Sequence, residues 1–112
     1  MPADPEEVRL RLEALRKAFV AQLPDRIREL KKAWKKIESE EWNAESFLEF
    51  HRGIHTLAGS GAMFGCEALS HAARLLDNLL KSLAAGHEPL SARTKSLIRD
   101  GLAAMNKAAT AR

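Results

Sequence analysis

Residues 47–65 read FLEFHRGIHTLAGSGAMFG. Phe47, Phe50, Ile54 and Leu57 recur at intervals of three and four, which places them on one face of an α-helix and rules out the strict alternation of a half-buried strand. Asn43, just upstream, has the side chain of a helix N-cap, and Glu45 in the next turn suits the positive end of the helix dipole. The stretch therefore predicts a helix that starts at Asn43 and ends in the glycine-rich segment after Ala58, with Gly61 as its stop. Two histidines precede a nearly bare surface made by Gly59, Ser60, Gly61 and Ala62. Such a surface allows either close packing of a neighbouring helix or access to a histidine.

The same periodicity extends in both directions, and no period-2 run or Asn-Gly turn supports a strand. Val8, Leu12, Leu15 and Phe19 mark a first helix over Pro5 to Gln22, after which Pro24 is expected to break or kink the chain and open a second helix ending near Ile37. Downstream, Leu69, Ala73, Leu76, Leu80 and Leu83 mark a helix from Cys66 to Gly86, and Leu97, Ile98, Leu102 and Met105 mark one from Ser91 to Ala109. Five helices with short connections predict an all-α fold, an antiparallel four-helix bundle with an additional N-terminal helix. At 112 residues the chain fits one domain with one core, about residues 5–109. Its alanine-rich end, ATAR, suits either a complete small protein or a domain excised from a larger signalling protein.

Composition removes several classes of function. Lysine and arginine exceed aspartate and glutamate by 18 to 15, a net charge of +3. The basic run KKAWKK at 31–36 flanks the stripe Leu23, Ile27, Leu30, Trp34 and Ile37, so its lysines read as a solvated helix face, and no nucleic-acid partner is expected. No apolar run approaches the length of a membrane span and no signal peptide is apparent, so a cytoplasmic protein without a membrane partner is expected. The single cysteine, Cys66, excludes an internal disulfide and reads as a packed residue. His51 and His55 stand four apart but lack a third ligand pattern, so no metal site is expected. His71 and His87 read as surface residues, while Phe47, Phe50, Phe64, Trp34, Trp42, Met63 and Met105 read as core or core rim.

On a helical wheel His55 lies about 100° from the apolar stripe, on the helix flank. Helical side chains lean toward the N-terminus, so a side chain at position 59 would cover the His55 ring, and glycine there removes the cover. On the following helix Asp77 also lies on a flank, about 80° from the stripe centre. The two residues then border one groove, where a carboxylate accepting the Nδ1 proton would leave Nε2 as an oriented nucleophile. Arg74, one turn before Asp77, is expected to hold Asp77 or a phosphate. Of the two histidines, this reading uses His55 and not His51.

The run His55-Thr56-Leu57-Ala58-Gly59-Ser60-Gly61, followed by Phe64-Gly65, Leu69 and Leu75-Leu76-Asp77-Asn78-Leu79-Leu80, resembles the histidine-containing phosphotransfer (HPt) domain. Similar domains occur in chemotaxis histidine kinases and attached to receiver and diguanylate cyclase modules. The resemblance implies that His55 is the phosphoacceptor, that Gly59 makes room for a receiver domain, and that Asp77 stands where the chemotaxis domain has a glutamate bonded to its histidine. It assigns Arg74 to that network as a supporting charge. Many relatives carry lysine three residues after the histidine. Here that residue is Ala58, which leaves Arg52, Arg74 or the partner to supply positive charge.

A docking surface of Leu48, Arg52, Ala58, Gly59 and Ala62 around His55 follows from the same reading. No nucleotide-binding loop or metal-carboxylate cluster is visible, so a monomeric phosphoryl carrier is expected rather than an enzyme, without a cofactor of its own. Its expected partners are a receiver domain, which would bring the Mg²⁺, and a sensor histidine kinase. The alternative is a helical interaction or dimerisation module in which Gly59 and Gly61 serve packing alone.

Overall fold

The computed structural model describes residues 4–39, 43–86 and 90–110. Trp42 and His87 lie outside them. The described residues form four helices: α1 (Pro5–Ser39), α2 (Ala44–Met63), α3 (Glu67–Gly86) and α4 (Ala92–Thr110). Successive helices run antiparallel. Phe19 stacks near Phe64, and Trp34 near Phe50, at opposite ends of the α1/α2 contact. Likewise Ser70 meets Ala58 near the α2/α3 turn, while Asp77 meets His51 and His55 further along. No described helix is long and apolar enough to cross a membrane.

The expected break at Pro24 does not occur. Pro24 lies inside α1, which runs unbroken for 35 residues. Proline in a helix interior removes a hydrogen bond and crowds the preceding turn. Against that cost stands one continuous buried stripe: Phe19 and Leu23 before the proline, and Ile27, Leu30, Trp34 and Ile37 after it. The turns on either side of Pro24 are held against the same bundle, and their packing outweighs the local penalty. The bundle thus has four helices rather than five, and the additional N-terminal helix is the leading half of α1.

That leading half is largely unpartnered. Val8, Leu12 and Leu15, expected to be core, are exposed, and the buried stripe starts only at Phe19. A helix of this length measures about 52 Å at 1.5 Å per residue, which accounts for the 54 Å long axis of the molecule. Exposed ion pairs within the helix line its first turns, among them Arg9 with Glu6 and Glu13, and Arg11 with Glu7. Arg16 donates to the Phe64 carbonyl at 3.1 Å and ties this segment to the α2–α3 turn.

The α2–α3 hairpin positions the site. Asn43 caps α2 as expected, its Oδ1 accepting from the backbone N–H groups of Glu45 and Ser46. The far end of α2 differs from the expectation, because Gly59 and Gly61 are both helical and the helix continues to Met63. The stop is Gly65, whose φ of +75° puts it in the left-handed region. Cys66 N–H donates to Gly61 C=O at 2.7 Å and Gly65 N–H to Ala62 C=O at 3.3 Å. This pair of bonds is the Schellman arrangement, in which a residue of positive φ turns the chain and satisfies the last carbonyls.

Gly61 serves packing instead. A Cβ there would lie 3.3 Å from Ser70 N and 3.4 Å from Cys66 O, both backbone atoms of the α2–α3 contact. The Ser70 hydroxyl, itself buried, donates to the Ala58 carbonyl at 2.7 Å and links the helices at this level. Below it Phe50, Ile54, Leu57, Leu69, Ala73, Leu76 and Leu80 fill the core with Ile98, Leu102 and Met105 of α4. Met63, by contrast, is exposed rather than part of the core.

Candidate functional site

About one helical turn of α2 and one of α3 bring four polar side chains together at the rim of this hairpin. His51 and His55, four residues apart on α2, fall on one side of the helix and face Asp77 across the groove. His55 Nδ1 lies 3.0 Å from Asp77 Oδ2, and His51 Nε2 lies 2.7 Å from Asp77 Oδ1. Lys81 Nζ lies 3.3 Å from Oδ2, the oxygen that His55 also uses. The carboxylate is nearly inaccessible, at 4% relative exposure. It is therefore a buried charge with three donors around it.

Burial by itself would raise the Asp77 carboxyl. The hydrogen bonds from His55, His51 and Lys81 act the other way, and together they hold it below the usual carboxylate range. An ionised carboxylate only accepts, so both facing imidazole nitrogens must carry hydrogen. For a neutral His55 this fixes the proton on Nδ1 and leaves the lone pair on Nε2. For His51 the nitrogen engaged is Nε2 itself. The His55 side chain is 67% exposed and that of His51 only 16%. One ring therefore presents a free nitrogen to solvent, and the other is a part-buried strut.

Gly59, one turn after His55, has open space around it: a Cβ there would meet no atom within 4 Å. The two glycines of the motif thus have different surroundings, Gly61 in contact with α3 and Gly59 facing solvent. Leu48, one of the exposed large apolar residues, and Ala62 lie on the accessible side of α2, as does Arg52. Ala58 does not belong to that surface. It is buried at 4% exposure and packs in the core, because its position on the wheel lies close to the Ile54–Leu57 stripe.

The cation at Asp77 is also a different one from that expected. Arg74 is exposed and is not among the partners of Asp77, whereas Lys81 is. The reason is the lean of helical side chains toward the N-terminus. A long side chain one turn after Asp77 leans over the carboxylate, and one placed a turn before it leans away. Two signals in the sequence pointed to the residues that were missed: Asp77 and Lys81 stand at i, i+4, and His51 and His55 at i, i+4 share one helix face. Among the described residues, no group of three or more His, Cys, Asp or Glu side chains is arranged to hold a metal ion.

A family model described as the Hpt domain matches residues 14–108, most of the chain and all of the site. The chain belongs to the Hpt domain family. Hpt domains carry phosphoryl groups on histidine in two-component signalling, acting as carriers rather than enzymes, and interact with receiver domains and histidine kinases. The all-α bundle described above is the architecture of this family. The match begins at Ala14, so the unpartnered first turns of α1 precede the part shared with the family. No curated protein and no solved structure matches the chain significantly.

Proposed function

We propose that this Hpt domain accepts a phosphoryl group on His55 Nε2 and exchanges it with the aspartate of a receiver domain. The observation that carries the reading is the pairing of a 67% exposed imidazole with a buried carboxylate through Nδ1. In the transfer, the Nε2 lone pair forms the N–P bond while the P–O bond to the donor carboxylate breaks and its electron pair returns to that carboxylate. The ring gains positive charge as the bond forms. Asp77, bonded to the ring N–H, stabilises that charge and keeps the ring oriented. The reaction needs positioning and charge neutralisation more than covalent chemistry from this chain. In the proposed complex the receiver supplies Mg²⁺ at its own aspartate.

Leu48, Ala62 and the open surface at Gly59 form the docking face in this reading, with the exposed Arg52 on the same side of α2. A sensor kinase would meet the same face. Packing within the chain accounts for Gly61 but not for Gly59, where no neighbour among the described residues needs the space.

The test is to charge a receiver domain with acetyl phosphate and incubate it with this protein. An acid-labile, base-stable label on the wild type and none on His55→Gln is the expected result. Label that persists in His55→Gln would remove His55 from the reading, and no label on the wild type with receivers from the same genome would remove the carrier role.

A further inference from the structure

The Asp77 carboxylate is balanced before transfer. Its negative charge faces the Lys81 ammonium, and its two oxygens take hydrogen bonds from His51 and His55. Transfer disturbs that balance. A phosphoryl group on Nε2 brings about two negative charges to the rim of the groove, while the ring it joins becomes cationic and draws more strongly on Asp77. The carboxylate no longer needs Lys81, and the new anion needs a cation.

We propose that Lys81 is the residue of this chain that neutralises the phosphoryl group on His55, moving from Asp77 to the phosphoryl oxygens as the N–P bond forms. This inference rests on His55 being the phosphoacceptor. Three observations carry it. Lys81 already shares Oδ2 with His55, so its ammonium and the reacting ring meet at the same carboxylate oxygen. Its side chain is 56% exposed and, among the described residues, is joined to the site by the Asp77 contact, so its four-carbon stem is free to swing. It approaches from one turn C-terminal to Asp77 and leans toward the carboxylate that His55 also contacts, a direction that Arg74 does not share.

His51 makes the movement possible. When Lys81 leaves, Oδ1 keeps its hydrogen bond from the part-buried His51 ring at 2.7 Å, and Oδ2 keeps that from His55. Asp77 stays fully bonded in both states. His51 is then a positioning residue, and Lys81 a catalytic one, since it would touch the transferred group.

The experiment compares the wild type, Lys81→Met and Lys81→Arg in transfer from an acetyl phosphate-charged receiver, with the lifetime of the label on the isolated protein followed afterwards. Lys81→Met should lower transfer and shorten the lifetime of phospho-His55 by about three- to fivefold, the scale of a half-exposed charge pair. Lys81→Arg should recover most of both. ¹⁵N NMR of the unphosphorylated Lys81→Met protein should still show His55 protonated on Nδ1, because the Asp77 bond remains. Wild-type rates and lifetimes in Lys81→Met would overturn the role of Lys81 while leaving His55 labelled, and so would a loss in Lys81→Met accompanied by a changed His55 tautomer. An unlabelled wild type would instead overturn the reading on which the inference rests.

Discussion

At the scale of single residues, the site separates demands that one sequence motif carries together. Gly59 and Gly61 are two apart in the same helix, yet a Cβ at 61 would press on the α3 backbone and a Cβ at 59 would meet nothing. A mid-helix glycine costs about 0.5–1 kcal/mol relative to alanine, and at Gly59 no packing gain offsets that cost. Replacing Gly59 with Gln should therefore raise stability by a similar amount, about 0.5–1 kcal/mol in urea unfolding. The new side chain would lean over His55, so phosphotransfer should slow about tenfold or more, as misplacing reacting groups does. Equal stability gain with undiminished transfer would contradict the access role of this glycine. The histidines show the same separation: their spacing put them on one face, but only the tertiary contact showed that His51 gives Nε2 to Asp77 while His55 keeps it free.

At the scale of elements, α1 shows packing overriding local propensity. Pro24 reads as a break, and in isolation it would be one. The helix survives because six buried side chains, two before the proline and four after it, share one face against the bundle. Pro24 itself is exposed and contributes little to that face. Pro24→Ala should restore the missing hydrogen bond and stabilise the protein by about 1–3 kcal/mol, measured by chemical denaturation, with the helical circular dichroism nearly unchanged. A destabilised variant would mean that the proline sets a bend the bundle requires. The end of α2 is the converse case. Glycine content suggested a stop at Gly61, but the residue that ends a helix is the one that adopts positive φ, and that is Gly65.

At the scale of the whole molecule, the buried Asp77 ties the site to stability. Its folded-state carboxyl titrates below the ordinary value of 3.8 because of His55, His51 and Lys81. A depressed carboxyl binds its proton less readily in the folded state than in the unfolded one. Its contribution is therefore fully present above about pH 4 and is lost as pH falls through the lower folded value. Unfolding free energy measured from pH 7 down to pH 2 should fall more steeply for the wild type than for Asp77→Asn below about pH 4. Parallel curves for the two proteins would show that the network adds nothing to folding. Asp77→Asn should also slow phosphorylation of His55, since the amide cannot orient the ring in the same way.

What the sequence determined by itself rests on period and on local chemistry. Intervals of three and four fix the helical faces from Phe19 onward, Asn43 fixes the start of α2, and the wheel places His55 and Asp77 on facing flanks. What only the tertiary structure decided depends on which groups meet across helices: the continuity of α1 through Pro24, the burial of Ala58, and the choice of Lys81 over Arg74 at the carboxylate. A helical wheel gives an angle about one axis. It gives neither the distance between two axes nor the direction in which a long side chain leans, and those set the partners of Asp77.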